Sequence, residues 1–382
     1  MVRFGSRTTI LNDPAVVADL LRAREDVGIT ENFLQQRVSA SAREPVQGLR
    51  SALRPGLRPA ALFEVPALIE RRLEPALHCL QEGWHDPVPV LESAMSGAVA
   101  ELYFGSDGSQ LAAMLAELLD ELSRVTGNPF ALPERWNTPV RRRICAQHEL
   151  LRARVSSLLA VRRDARPGEF GDVADGIVGR ARDDYPLTAV ADVVIGSLLA
   201  SQRVPAAAAS WLLMVLADHP DLQEQIGVQS GLEARVVSEV LRLFPPTWLL
   251  VRTTTRPIDV AGYSFPAGHH FMISPYVLHR DPRSYADPAA FRPDRWCEPQ
   301  PTRAAYLPFG AGAHICPGRH LATSLLIELA LHVTTRYRVV RRPGSVTPDP
   351  RTTLLPDGLR ISLRPVDVRD QVPEPCAESL SR

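Results

Sequence analysis

Phe309-Gly310-Ala311-Gly312-Ala313-His314-Ile315-Cys316-Pro317-Gly318 decides how the rest of the chain is read. Two glycines stand two apart, followed by a histidine, a cysteine and a third glycine. Glycine suits sharp turns and close backbone approach. The spacing therefore predicts a tight loop that holds the Cys316 sulfur still among backbone N–H groups. Such a sulfur is a poor disulfide partner and a good metal ligand. Leu321, Leu325, Leu329 and Val333 follow at a spacing of four and predict a helix over 321–338. Cys316 then lies just ahead of a helix N-terminus, whose dipole and free N–H groups favour a thiolate. A lone cysteine in a turn is more often plain buried structure; the surrounding pattern argues otherwise.

Two further motifs precede the loop. Glu239-Val240-Leu241-Arg242 lies in a helical pattern over 233–243, where charges three apart share a face and pair. Phe291-Arg292-Pro293-Asp294-Arg295-Trp296 follows, with Arg295 as a candidate third member of that ion pair. In this order, F-G-x-G-x-H-x-C-x-G, E-x-x-R and F-x-P-x-R-W resemble the cytochrome P450 family. The resemblance covers roughly 13–365, with its strong motifs from Glu239 onward. It implies a mainly helical fold with a small β portion, as one domain over 1–366 whose first strands and first helix are short or missing. It implies haem b, with Cys316 as the axial ligand of the iron, a thiolate that pushes electron density onto the metal and favours O–O cleavage. Phe309, Gly310 and Gly318 frame the loop, and His314 is expected to hydrogen-bond a haem propionate. Arg252, ahead of a strand-like run, matches a propionate-binding arginine, whose fork suits carboxylates. Glu239, Arg242 and Arg295 take the structural role of locking the core behind the loop. His269, His270 and His279 have no cluster spacing and read as structural.

Nearer the N-terminus the pattern is looser. Residues 13–25 predict a first helix capped by Asn12 or Asp13, and 26–43 a loop over the distal side of the haem. The stretch 44–54 resembles the family's H-x-x-x-R, but Val46 stands at the histidine, so only Arg50 is left to reach a propionate. Several helices are expected over 60–182, among them an amphipathic one over 111–125 and an arginine-rich one over 140–162. Arg141-Arg142-Arg143 reads as a solvated face.

The main departure from the family lies in the long apolar helix predicted over 187–218. Where the family carries A-G-x-[DE]-T-[TS], an acid–alcohol pair that relays protons, this chain reads Ala200-Ser201-Gln202-Arg203-Val204-Pro205. Arg203 replaces the acid and Val204 the alcohol. Pro205 lacks an N–H and crowds the Ser201 carbonyl, which predicts a kink. A buried guanidinium needs an anionic partner. For Arg203 that partner is a protein acid, a haem propionate or an anionic substrate. The outward-pointing, salt-bridged arrangement is the commoner one. Ala200, Ser201, Arg203, Val204 and Pro205 are thus the candidate distal residues of an atypical site.

Bulk properties narrow the class. Basic and acidic residues number 43 each, every basic one an arginine, so nucleic acid is not indicated as a partner. Five scattered cysteines without C-x-x-C spacing argue against a disulfide framework or a zinc site and suit a reducing cytoplasm. No apolar run is read as reaching the ~18 residues of a membrane span, and 1–12 lacks a signal-peptide core. A small terminal β region is expected over 341–364, and 367–382 reads as a frayed tail. The implied activity is oxidation of a small organic molecule in natural-product biosynthesis, by hydroxylation or oxidative coupling. A ferredoxin or flavodoxin would donate electrons at the face bearing Arg319 and His320. A peroxide-driven or non-oxygenating reaction is the alternative. A catalytically silent helper is the third reading, against which the intact Cys316 loop speaks.

Overall fold

The computed structural model describes residues 2–3, 7–22, 27–29, 65–126, 138–166, 168–181, 185–299 and 303–366. Arg50 and the 367–382 stretch lie outside them. Strands β1 (Val2–Arg3) and β2 (Thr8–Leu11) open the chain, followed by helix α1 (Pro14–Arg22) and strand β3 (Val27–Ile29). The expected N-terminal strands are thus present and short. Asp13 Oδ1 accepts hydrogen bonds from the backbone of Ala15 and Val16, the N-cap that the sequence predicts.

The helical body follows. Helix α2 (Pro87–Phe104) begins behind Asp86, whose side chain accepts from the Val88 backbone at 3.0 Å. Then come α3 (Ser109–Thr126), α4 (Pro139–Asp164), capped by Thr138, α5 (Val173–Ala181) and α6 (Leu187–Asp218). Proline at the first helical position recurs at Pro14, Pro87 and Pro139, where its missing N–H has no helical partner to lose. Arg141 is buried while Arg142 and Arg143 are exposed, so the arginine run is only partly a solvated face.

Helix α6 matches the predicted span and runs unbroken through Pro205. It is also long and apolar enough to cross a membrane by length and composition, which corrects the sequence-based expectation. In this fold it packs along α2 and α4 and touches α8 (Leu232–Leu243) and α9 (Arg319–Arg336), reached through the short α7 (Pro220–Gln225). Its second half contributes Ala209, Trp211, Leu212 and Leu213 to one core, and its first half Val190, Val194 and Leu198 to another.

Strands β4 (Leu250–Thr254), β5 (Ile258–Val260), β6 (Tyr263–Phe265) and β7 (His270–Ile273) lie between α8 and α9. β5 and β6 form the predicted hairpin. β4 and β7 join the N-terminal strands in a five-stranded sheet ordered β1-β2-β7-β4-β3, with β2 and β7 parallel. After α9, strands β8 (Tyr337–Arg341), β9 (Thr347–Asp349), β10 (Leu355–Asp357) and β11 (Ile361–Pro365) form two antiparallel pairs. The mainly helical class with a small β portion is as expected.

Candidate active site

The Cys316 loop is a close-fitting turn between Leu307 and α9. Gly310 donates its N–H to the Leu307 carbonyl at 3.1 Å, and Cys316 donates to the Phe309 carbonyl at 2.9 Å. Gly310 and Gly312 have φ of +69° and +71°, the left-handed region that glycine tolerates. A Cβ on Gly312 would also stand 2.0 Å from the Leu21 carbonyl oxygen, so the loop lies directly against the end of α1. Phe309 packs against the larger core, and Gly318 caps α9.

Burial pushes the Cys316 thiol up, while a hydrogen bond from the Gly318 backbone and the charge of Arg319 pull it down without overcoming burial. The thiolate expected from the helix terminus is therefore not secured by the chain's own groups. A coordinating metal deprotonates a thiol outright.

Arg252 approaches this loop from β4. It is 4 % exposed, and burial lowers its pKa. One terminal nitrogen donates to the Val251 carbonyl at 3.0 Å. Its Nε has no hydrogen-bond partner among the described residues, and none of the ion pairs found there involves it. The other terminal nitrogen lies 3.9 Å from where a Gly310 Cβ would be. A buried cation without an acid, beside a glycine that leaves room, suits a carboxylate supplied by a bound group. His314 behaves otherwise: its Nε2 lies 3.2 Å from the Val27 carbonyl, tying the loop to β3.

Behind the loop, the predicted ion cluster forms with both Glu239 and Arg242 fully buried. Arg242 donates to both Glu239 oxygens at 2.8 and 2.9 Å and to the carbonyls of His279, Pro288 and Ala290. Arg295 Nε donates to Glu239 Oε1 at 3.0 Å, and the Trp296 indole to Oε2 at 3.1 Å. These bonds hold the Glu239 carboxyl below its ordinary pKa against burial, which alone would raise it. His279 accepts from the Leu307 backbone at 2.7 Å, at the base of the loop, and burial holds its imidazole neutral, with its pKa pulled down to about 3. His269 and His270 bond to Thr9 and Thr253, so all three histidines are structural, as read.

On α6, Ala200 is exposed, as is Gly196 one turn earlier, while Ser201, Val204 and Pro205 are half-buried. Arg203 Nε reaches both oxygens of Glu92 on α2, at 3.2 and 3.4 Å. Of the partners considered for it, a protein acid is the one found. Ser201 Oγ donates back to the Ser197 carbonyl at 2.7 Å. Two features escaped sequence reasoning. The buried Tyr103 of α2 shares a 2.6 Å hydrogen bond with Ser197, and Asp192 sits in a buried charged cluster with His148 and Arg152 of α4. Neither follows from local spacing, because each joins helices distant in sequence.

Comparison with known proteins follows the same division. The family model described as Cytochrome P450 matches residues 232–362. Cyclooctatin synthase of Streptomyces melanosporofaciens is 34 % identical over 224 residues, covering 52 % of this chain and 49 % of that protein. Cyclooctat-9-en-7-ol 5-monooxygenase of the same organism is 29 % identical over 254 residues, covering 59 % and 54 %. The chain thus spans about half the length of these two curated relatives. Among solved structures, retinoic acid bound cyanobacterial CYP120A1 superposes with a TM-score of 0.78 at 21 % identity, covering 94 % of this chain and 89 % of that one.

Proposed function

Since the chain belongs to the cytochrome P450 family, we propose that it is a haem-thiolate monooxygenase that hydroxylates an uncharged small organic molecule in a natural-product pathway. The observation that carries this reading is the loop itself: a single sulfur held by the Gly318 N–H within a glycine-shaped turn, beside a buried arginine lacking an acid. These residues fit haem b. Cys316 would ligate the iron and Arg252 would take a propionate. Arg50 remains a proposed second contact. Bound through a thiolate, haem supplies the oxidising chemistry.

The chain's own groups do the rest. The Glu239–Arg242–Arg295 cluster and His279 keep the loop from shifting, so Cys316 is presented in one geometry. Ala200 and Val204 offer an apolar distal surface, and Glu92 answers the Arg203 charge. This favours an uncharged substrate over the anionic one. The two Streptomyces relatives, one named a synthase of cyclooctatin and the other a 5-monooxygenase of cyclooctat-9-en-7-ol, support hydroxylation of a natural product. Val204 has no proton to give, so protons must come from water or from substrate groups. That observation keeps a peroxide-driven variant as a second reading. Electrons would arrive from a ferredoxin or flavodoxin beside Arg319 and His320, in a cytoplasmic setting.

The test is the carbon-monoxide difference spectrum of the reduced protein. A thiolate-type Soret band that disappears in Cys316→Ser supports the reading, and an identical spectrum in both overturns it. Turnover with a ferredoxin system compared with turnover on hydrogen peroxide separates the two oxidant readings.

A further inference from the structure

An open cleft of about 420 Å³ lies between the last turn of α6, the start of α7 and strand β8. Side chains alternate along a strand, so Arg338 and Val340 stand on one face of β8, Val339 and Arg341 on the other. All four line the cleft, which therefore opens at the edge of the strand rather than on a face. β8 pairs with β11 alone, so that edge has no neighbouring strand among the described residues. The ladder fixes which groups point there. In an antiparallel pair, opposite residues are either bonded to each other or both turned away. Val339 opposes Leu363, and Arg341 opposes Ile361. Leu363 and Ile361 donate their N–H groups away from β8, to the carbonyls of Leu80 and His85, each at 2.9 Å. The N–H and C=O groups of Val339 and Arg341 thus face the cleft.

These two positions differ. At Val339 the Gln223 side chain of α7 takes the place of a strand. Its Nε2 donates to the Val339 carbonyl at 3.0 Å, and its Oε1 accepts from the Val339 N–H at 2.8 Å. At Arg341 the backbone N–H and C=O have no partner among the described residues. The two guanidinium groups differ as well. Arg341 is paired with Asp218. Arg338 has no ion pair among the described residues, and one terminal nitrogen donates to the Thr334 carbonyl at 3.3 Å. Ala217, Pro220 and Pro343 give the cleft an apolar lining.

An occupant that matches these walls brings a donor and an acceptor spaced as in a peptide unit, an apolar side chain and a negative charge. An extended acidic peptide has all of these, and backbone pairing at a free strand edge is a general mode of peptide capture. Gln223 shows that this edge accepts an amide. A free carboxylate carries no donor for the Arg341 carbonyl. We infer that the cleft docks an extended, acidic peptide segment of a partner protein. The segment adds to the β8 edge at Arg341, sets a carboxylate against Arg338 and lays an apolar side chain between Ala217 and Pro343. The inference goes beyond the monooxygenase reading and uses none of the residues assigned to the haem.

Fluorescence anisotropy on the haem-loaded protein tests this, with fluorescein-labelled Val-Asp-Val-Asp-Val-amide as the probe. Saturable binding is expected, at least about tenfold tighter than for the same peptide N-methylated at every residue, which keeps the carboxylates and loses the donors. Arg338→Ala should weaken the unmethylated probe about threefold and flatten its salt dependence, as the loss of one partly solvated ion pair does. Absence of saturable binding to the wild type overturns the inference. Equal binding of the two peptides overturns it too, because charge alone would then hold them. So does a folded Arg338→Ala with the affinity and salt dependence of the wild type. A concentration-dependent dimer in sedimentation that the probe does not dissociate would give the edge to a second copy of this chain, again overturning it. The carbon-monoxide spectrum is read separately, so either reading can fail while the other stands.

Discussion

Gly312 shows how closely a single atom is policed at the loop. Its φ of +71° is strained for any other residue, and a methyl group there would overlap the Leu21 carbonyl at 2.0 Å. Gly312→Ala should therefore displace the loop from α1. An expected loss of several degrees in melting temperature of the haem-free protein, with weaker haem retention, checks it; strain of this kind costs on the order of 1–3 kcal/mol. Gly196→Ala is the control, because nothing lies within 4 Å of the added carbon and alanine is the better helix former by about 1 kcal/mol. Asp192 gives a prediction in pH. Its folded pKa of about 6 is raised above the ordinary aspartate value, so the folded state holds the proton more firmly than the unfolded chain. That contribution is fully present at low pH and is lost as pH rises through about 6. His148, lowered by burial, acts in the opposite direction. The Asp192→Asn variant should therefore gain stability relative to wild type as pH rises from roughly 4 to 6. Melting temperatures of the two proteins across that range are the measurement.

Helix α6 is where the sequence told most and where it told least. Its span was legible from the long apolar stretch over 187–218. The loop before α9 was legible from glycine spacing, and α8 from its periodicity with E-x-x-R. The direction of Arg203 was not, since Glu92 lies on another helix and a side chain's heading depends on helix rotation. The Asp192–Arg152–His148 cluster was hidden for the same reason. The Glu92–Arg203 link ties α2 to α6 with both side chains 20 % exposed. A double-mutant cycle with Glu92→Gln and Arg203→Met, read by urea unfolding, should give a coupling of about 1 kcal/mol or less, as for partly solvated pairs. A value near zero would mean that the pair does not hold the two helices together.

At the scale of the whole molecule, the Glu239 carboxylate receives Arg242, Arg295, the Trp296 indole and the Arg292 backbone, drawing four separate positions onto one buried group. Glu239→Gln leaves two guanidinium groups without their counter-charge in a dry interior. The expected cost is about 3–5 kcal/mol, visible as a lower denaturation midpoint and as haem lost early in the transition. The five-stranded sheet carries a different implication. Thr8–Leu11 lies parallel to His270–Ile273, in register from Thr8 opposite His270 to Leu11 opposite Ile273. On a ribosome the opening strands are made first and their neighbour emerges only after most of the polypeptide. At the usual pace of elongation that is a wait of tens of seconds. During it, the newborn N-terminal strands present bare hydrogen-bonding edges to the cell. A chaperone that shields early β edges is accordingly expected to raise the yield of this protein more than one that acts only after release.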